Sequence, residues 1–258
     1  MTVYFIGAGP GDPELITVKG QRLLRSCPVI LYAGSLVPEA VLEGHSAERV
    51  INTAELNLAQ IIELLAEAHA NGQDVARVHS GDPSLYGAIG EQIRHLRALA
   101  IPFQIIPGVT ATAACAALLE SELTLPAISQ TVILTRYASK SEMPAGEQLS
   151  DLARHGATMA IHLGVVHLKK IVAELLPHYG ADCPIAVVHR ASWPDQDWVS
   201  GTLATIEEQV QAKGFRRTAL IIVGRVLGAE DFADSALYHA DSPNLFRPRG
   251  AAGNTESN

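Results

Sequence analysis

Short apolar segments rich in β-branched residues alternate with segments of helical spacing along most of this chain, and this alternation limits the possible folds more than any other feature. The β-rich segments end in loops of small and polar residues, as in the stretch V-H-S-G-D-P-S-L-Y-G from Val78 to Gly87. Strands that alternate with helices are typical of βαβ units. The pattern therefore predicts an α/β protein with mainly parallel sheets.

The alternation is interrupted near Pro126 and then resumes, which predicts two α/β domains. We place them at residues 1–122 and 123–235, and we expect residues 236–258, which lack periodicity, to form a tail. The predicted strands cover residues 2–6, 28–31, 74–79, 102–106, 130–136, 157–163, 184–189 and 218–226. Ligands bind beyond the carboxyl ends of parallel strands, so we predict an active-site cleft between the domains.

Composition excludes several classes of protein. The formal net charge of -8 argues against a nucleic-acid surface, because such surfaces neutralise phosphates with Lys and Arg. Three widely spaced cysteines predict neither a disulfide framework nor a zinc site and favour a cytoplasmic protein. The first residues lack the basic region of a signal peptide, and no apolar run approaches the roughly 20 residues of a membrane helix. We expect a protein without membrane or nucleic-acid partners.

The first glycine loop, G-A-G-P-G-D-P from Gly7 to Pro13, follows a strand and precedes a helix, as in nucleotide-binding proteins. Its spacing differs from the dinucleotide fingerprint, because Asp12 stands where the third glycine is required. Asp12 would also repel a phosphate, whereas it would tolerate a ligand with a cationic centre. A non-catalytic adenine-nucleotide sensor stays an alternative, but Asp12 and the missing phosphate motifs weigh against it.

Four motifs in order resemble those of the tetrapyrrole methylases: G-A-G-P-G-D-P-E-L-I-T at 7–17, S-G-D-P-S-L-Y-G at 80–87, P-G-V-T-A at 107–111 and T-A-L-I-I-V-G at 218–224. The resemblance extends from Thr2 to about Gly228. It implies two α/β domains, S-adenosylmethionine as cofactor, S-adenosylhomocysteine as product, a tetrapyrrole substrate and a homodimer. Within the family, Y-A-G-S-L at 32–36 resembles the corrin-pathway members that methylate C11. It argues against the members that act on uroporphyrinogen, on precorrin at C17 or C20, or on a diphthine precursor.

The resemblance also implies a set of cofactor-binding residues: Pro10, Ser80, Gly81, Asp82, Leu85, Thr110, Ala111, Leu163, Ala191, Thr218 and Ala219. Four of these depart from the residue that many relatives carry. Ser80 replaces a glycine, Leu163 replaces a methionine, Ala191 replaces a glycine, and Thr218 replaces a proline. Leu163 and Ala191 keep size or apolar character, so they leave the predicted site intact.

A tetrapyrrole substrate carries several carboxylates, so the acidic chain needs a local group of basic residues. We expect it among residues at predicted strand ends: Ser35, Arg77, Arg136 and Arg190 are the candidate substrate-binding residues, with Arg216 and Arg217 as further arginines. His79, His162 and His189 are candidate hydrogen-bond donors or general bases. A structural role is more common for such residues, so we expect each to be partly buried and hydrogen-bonded to its neighbours. We predict no metal site, and we assign no catalytic residue.

Overall fold

The computed structural model describes residues 1–138 and 142–235. The first part comprises β1 (Val3–Gly7), α1 (Val18–Ser26), β2 (Val29–Tyr32), β3 (Arg49–Asn52), α2 (Leu58–Ala70), β4 (Val75–His79), α3 (Ile89–Ala98), β5 (Phe103–Ile106) and α4 (Ala111–Leu118). The second comprises β6 (Val132–Arg136), α5 (Leu149–Ala153), β7 (Thr158–His162), α6 (Leu168–Tyr179), β8 (Pro184–His189), β9 (Asp197–Thr202), α7 (Ile206–Lys213) and β10 (Ala219–Val223). The predicted tail lies outside the described residues.

The first sheet has the strand order β3-β2-β4-β1-β5, and all its described pairings are parallel. β1 lies between β4 and β5, so the loops after these three strands meet at one edge of the sheet. Helix starts are fixed by side-chain caps: Asn57 forms a capping box with Gln60 at the start of α2, and Thr110 caps α4. This domain confirms the predicted α/β architecture.

The second sheet has the order β6-β7-β10-β8-β9, and its strand directions correct the prediction. β6 and β7 are parallel, whereas the pairings β7–β10, β10–β8 and β8–β9 are antiparallel. The two-domain α/β class is confirmed, but this sheet is mixed. Because β10 runs opposite to its neighbours, its first residue Ala219 pairs with His189, the last residue of β8.

Two strands, β3 and β9, are absent from the prediction. Both lie at a sheet edge and carry alternately exposed residues, such as Val50 and Trp198, rather than a continuous apolar run. Edge strands need less burial than central ones, so their apolar signal is weak. The prediction therefore found the central strands and missed these two.

Apolar side chains pack on both faces of each sheet. In the first domain, one group forms around Leu24 and Ile30 beneath α1, and the other around Leu65 and Leu96 beneath α2 and α3. In the second, α6 and α7 cover one face. The other face receives Cys115 from α4, so this helix of the first domain packs against the second sheet and joins the two domains. Among the helices of residues 1–138 and 142–235, none combines the length and apolar character that crossing a bilayer requires.

Candidate active site

Three glycines bring three loops into direct backbone contact at the carboxyl edge of the first sheet. A Cβ on Gly108 would lie 2.1 Å from the Gly81 carbonyl oxygen and 2.8 Å from Gly7 Cα. A Cβ on Gly7 would lie 2.6 Å from Gly108 Cα. Gly9 and Gly81 also exchange backbone hydrogen bonds, with Gly81 N donating to Gly9 O at 2.7 Å. Only residues without a side chain permit this approach, so the glycines serve loop packing rather than phosphate binding.

Asp82 fastens two of these loops together. Its Oδ2 accepts a hydrogen bond from Gly108 N at 2.8 Å, and its Oδ1 accepts from Ser84 N at 2.8 Å and from the Ser84 hydroxyl. Partial burial raises the pKa of this carboxyl, but the three hydrogen bonds outweigh burial and hold the pKa below its usual value. Asp82 is therefore ionised at neutral pH and already hydrogen-bonded through both oxygens.

The second domain contributes the ends of β7 and β8 and the start of β10. Arg190 N donates to Thr218 O at 2.9 Å, which places the loop after β8 beside the residue that precedes β10. Leu163 follows β7 directly. A parallel β10 would have carried Thr218 to the opposite edge of the sheet, so the antiparallel direction is what brings it to the cleft.

The two sets of loops enclose a cavity of about 640 Å³. All eleven predicted cofactor-binding residues line it: Pro10, Ser80, Gly81, Asp82, Leu85, Thr110, Ala111, Leu163, Ala191, Thr218 and Ala219. The volume falls within the range of about 300–1,000 Å³ that is usual for small-molecule sites. Residues from distant parts of both domains thus meet around one space of suitable size.

Several lining residues have a strained backbone. Tyr86, Leu163, Arg190 and Thr218 all adopt left-handed conformations, with φ between 50° and 57°. Thr218 is β-branched, and a positive φ is a clear outlier for such a residue. Strain of this kind concentrates at functional sites, because the surrounding structure must hold it in place. The backbone supports the same location for the site as the cavity does.

His162, at the end of β7, bridges the domains across the cavity. Its Nε2 lies 3.3 Å from Thr112 Oγ1, and its ring lies 5.1 Å from that of Tyr86, centroid to centroid. Burial lowers the pKa of His162 to about 4, so the imidazole is uncharged at neutral pH. A neutral ring can donate or accept a hydrogen bond here without adding charge to the cavity.

The four predicted substrate-binding residues lie in different parts of the structure. Arg190 lines the cavity, together with Arg216 and Arg217. Ser35 is exposed, and its neighbour Leu36 lines the cavity. Arg136 Nη2 donates a hydrogen bond to Glu142 O at 3.2 Å, and the charge of Arg136 acts on Tyr86, which also lines the cavity. For Ser35 and Arg136, a substrate contact stays a prediction.

Arg77 lies inside the first domain, which argues against the predicted substrate contact. Its side chain is 4% exposed, with Nε donating to Gln92 Oε1 at 3.2 Å and Nη1 donating to Leu31 O at 3.4 Å. Burial lowers its pKa to about 10, which still leaves it charged. Gln92 in turn donates to Ala88 O at 3.1 Å, just after the loop that carries Tyr86. Arg77 therefore supports the shape of the loop from within.

We expect Arg77→Ala to lower the free energy of unfolding by about 2–4 kcal/mol, because it leaves a cavity and removes the hydrogen-bond donor to Gln92. Urea denaturation measures this difference. Arg94→Ala is the matched control, since Arg94 is exposed on the neighbouring helix α3, and it should change stability by less than about 0.5 kcal/mol. Unchanged stability of Arg77→Ala, with weaker substrate binding, would instead favour the original substrate role.

The remaining candidate histidines are packed against aromatic rings. His79 is 4% exposed and lies 5.9 Å from the Phe5 ring; burial, and then the charge of Arg77, lower its pKa to about 3. Its Nε2 has no hydrogen-bond partner among the described residues. His189 stacks on Phe215 at 5.1 Å, and burial lowers its pKa. Both are uncharged and withdrawn from solvent, as expected, but His79 lines the cavity, and its unpartnered Nε2 differs from the hydrogen-bonded residue that was expected.

Trp193 is the main site residue that sequence reasoning missed. It lines the cavity, and its Nε1 donates to Pro10 O at 2.8 Å, from the second domain to the first. Its signal in the sequence is weak: it is one of two tryptophans and follows H-R-A-S at the end of a predicted strand. Leu36, Tyr86 and Val166 are further apolar lining residues without an assigned role. The described residues include no group of three or more His, Cys, Asp and Glu that could hold a metal ion.

The fold, the interdomain cavity and the four motifs define a class of protein. Residues 2–207 match the model of the tetrapyrrole (corrin/porphyrin) methylases, and the chain belongs to this family. Among individual relatives, it is 75% identical to a precorrin-4 C(11)-methyltransferase of Pseudomonas aeruginosa, over 96% of this chain and 99% of that protein.

Solved structures agree with this assignment. A cobalt precorrin-4 methyltransferase of cobalamin biosynthesis superimposes with a TM-score of 0.86 at 40% identity, over 88% of this chain and 96% of the other. A uroporphyrin-III C-methyltransferase from Thermus thermophilus, solved in complex with S-adenosylhomocysteine, superimposes with a TM-score of 0.71 at 32% identity, over 88% of this chain and 98% of the other. Both the family and the two-domain fold predicted from the motifs are confirmed.

Proposed function

We propose that this protein transfers a methyl group from S-adenosylmethionine to C11 of precorrin-4, giving precorrin-5 in cobalamin biosynthesis. The observation that carries the proposal is the convergence of all eleven predicted cofactor residues on one interdomain cavity. The similarity to the Pseudomonas relative, which extends over nearly all of both chains, supports the same substrate and the same carbon.

The lining residues suit S-adenosylmethionine. Gly81, Ala111, Ala191 and Ala219 leave space for the adenosine and expose backbone donors and acceptors. The free N–H groups at the start of α4, next to Thr110, would hold the methionyl carboxylate. Leu85 and Leu163 add apolar contact. The cavity thus offers each kind of contact that this molecule requires.

When bound, S-adenosylmethionine would supply an electrophilic methyl group on a sulfonium; in-line attack by an electron-rich carbon of the macrocycle would form the new C–C bond, break the methyl–sulfur bond and release S-adenosylhomocysteine. The chain's own residues contribute by positioning and by excluding water. Effective molarities for well-oriented reactants account for about 7–11 kcal/mol of barrier, so no covalent nucleophile is needed.

The rim of the cavity suits a large flat ring with carboxylates. Leu163 and Val166 are 61% and 63% exposed, and they form an apolar surface against which a macrocycle can lie. Arg190, Arg216 and Arg217 line the same cavity, and planar guanidinium groups pair with carboxylates through two hydrogen bonds. These arginines supply the local basic group that the acidic chain requires.

An alternative within the proposal is that the substrate carries cobalt, because the solved relative at 40% identity is named a cobalt precorrin-4 methyltransferase. Another tetrapyrrole methylase activity, on uroporphyrinogen III, is the more distant alternative.

A direct assay supplies labelled S-adenosylmethionine with precorrin-4 and, separately, with its cobalt complex. We expect label to enter the macrocycle at C11, and the faster substrate identifies the form that the enzyme uses. Calorimetry with S-adenosylhomocysteine and with ATP should show binding of the first and at least 100-fold weaker binding of the second. Preferential binding of ATP would favour the nucleotide sensor and contradict the proposal.

We also propose, from the family resemblance, that the protein is a homodimer, and from its cysteines that it lies in the cytoplasm. The three cysteines are free and buried, and burial raises the pKa of Cys115 to about 12, which keeps its thiol protonated and unreactive. Buried free thiols suit a reducing compartment. Light scattering of the purified protein tests the dimer, and a mass equal to one chain would contradict it.

A further inference from the structure

The loop between β8 and β9, residues 190–196, is compact and is called the arm below. Two of its residues have energetically unfavourable backbone conformations. Arg190 and Ser192 both have positive φ, 50° and 67°. The loop is closed by its own hydrogen bonds: Trp193 N donates to Arg190 O at 3.0 Å, and Gln196 N donates to Trp193 O at 3.0 Å. Left-handed conformations of non-glycine residues cost about 1–3 kcal/mol each and persist where the structure needs them. Other contacts of this loop must therefore offset the cost of its backbone conformation.

The arm reaches across the cavity to the first glycine loop. Trp193 Nε1 donates to Pro10 O at 2.8 Å, and Asp12 N donates to Ser192 Oγ at 3.0 Å. The indole lies so close to Gly11 that a Cβ there would be 2.2 Å from Trp193 Cδ1. The third glycine of G-A-G-P-G is thus explained by the tryptophan of the other domain.

The face of the same indole ring packs against Arg190, a predicted substrate-binding residue. The Arg190 guanidinium carbon lies 4.1 Å from the centroid of the Trp193 ring, and Arg190 Nη1 pairs with Asp195 at 2.5 Å. An arginine held over an aromatic face has fewer rotamers available than a free one. Trp193 therefore contacts a loop of the cofactor cavity and orients an arginine of the rim.

We propose that Trp193 is a positioning residue that fixes the spacing of the two domains at the cofactor cavity and links cofactor binding to the orientation of Arg190. The contact to Pro10 and Gly11 stands on geometry alone. The link to substrate binding rests on the proposed function. A shift of the first glycine loop would therefore move the indole, and with it Arg190 at the rim that would hold the macrocycle.

Hydrogen exchange without any ligand tests the interdomain contact. We expect Trp193→Ala to increase amide exchange at least tenfold in the segment 7–12, while exchange in α6 stays unchanged. Trp193→Phe keeps an aromatic ring but loses the N–H donor, so it should give a smaller increase. Trp198→Phe is the matched control, because the other tryptophan lies on the edge strand β9 and is 44% exposed. Unchanged exchange in Trp193→Ala would overturn the proposal, whatever the protein binds.

A double-mutant cycle with Gly11 tests the link to the cofactor. Trp193→Ala and Gly11→Ala should each weaken S-adenosylhomocysteine binding about tenfold, and the double variant should bind no worse than Trp193→Ala alone. In the methyl-transfer assay at saturating cofactor, Trp193→Ala should raise the KM for the tetrapyrrole at least fivefold, and Trp193→Phe should restore most of it. Additive losses in the cycle, or an unchanged KM, would overturn the proposal. If the wild-type protein does not bind S-adenosylhomocysteine, the proposed function fails, and the exchange experiment still decides the interdomain contact.

Discussion

Gly108→Ala is expected to reduce S-adenosylhomocysteine affinity at least 100-fold, the largest effect of any single substitution considered for this site. The new Cβ would lie 2.1 Å from the Gly81 carbonyl oxygen and 2.8 Å from Gly7 Cα, and both neighbours are backbone atoms that cannot rotate away. The three loops at the edge of the first sheet would have to separate. Overpacking costs about 1–3 kcal/mol, occasionally more, and a 100-fold loss of affinity corresponds to about 2.8 kcal/mol.

Calorimetry measures this loss, and the free energy of unfolding should fall as well. Gly90→Ala is the matched control. Gly90 lies in α3 with nothing within 4 Å of a Cβ built on it, so alanine should leave affinity unchanged and raise stability by up to about 1 kcal/mol. If Gly108→Ala binds S-adenosylhomocysteine within threefold of the wild-type affinity, the loops can separate without changing the cavity, and the prediction is wrong.

Asp82→Ala should weaken S-adenosylhomocysteine binding tenfold or more and should also destabilise the fold. Both carboxylate oxygens accept hydrogen bonds, from Ser84 and from Gly108 N. A hydrogen bond to a charged group contributes about 1.5–3 kcal/mol, equivalent to roughly 10- to 150-fold in affinity. Part of the effect would act through the loops, because both oxygens of Asp82 already accept hydrogen bonds from them; a direct hydrogen bond to the ribose of the cofactor is the other role open to this carboxylate, which can accept more than one hydrogen bond per oxygen. Binding and urea denaturation together separate these roles, since a ribose partner would affect binding alone.

Two variants and the pH dependence sharpen this test. Asp82→Asn keeps one acceptor and should give an intermediate loss, whereas Asp182→Ala, which removes a surface partner of Arg225, should leave affinity unchanged. The pKa of Asp82 is lowered in the folded protein, so its stabilisation is present above the unfolded value near 4 and is lost as the pH falls through the folded value. The stability difference between wild type and Asp82→Ala should therefore be constant from pH 5 to 8 and shrink in stronger acid.

The strand order of the second domain could not be obtained from the sequence because one strand was missed. The apolar run from Thr218 to Val226 identified a buried central strand, which β10 confirms. Its direction depends on β9, an edge strand with a weak apolar pattern that reverses the chain after β8. With β9 present, the crossover through α7 returns the chain antiparallel to β8. Without it, the same crossover predicts a parallel strand.

The candidate site was predicted more completely where backbone and small residues form it than where long side chains do. Glycine, proline and alanine motifs mark positions that the fold fixes, and the cofactor-binding residues that the family resemblance implies through these motifs all line the cavity. Arginine positions were chosen from strand ends, and a strand end does not determine which face a side chain takes. Arg77 points into the core beside Gln92, whereas Arg190 reaches the cavity from a loop. Trp193 could not be found, because its partner Gly11 is distant in the chain.

The insertion of β10 between β7 and β8 has a consequence for how the protein is made. Until residues 219–223 leave the ribosome, the strands of the second sheet remain as two separate pairs, β6 with β7 and β8 with β9. The segment that completes the sheet also completes the wall of the cavity, since Ala219 is part of both. A nascent chain from which this strand has not yet emerged therefore has its first sheet but no enclosed pocket, and ligand binding must await the emergence of β10.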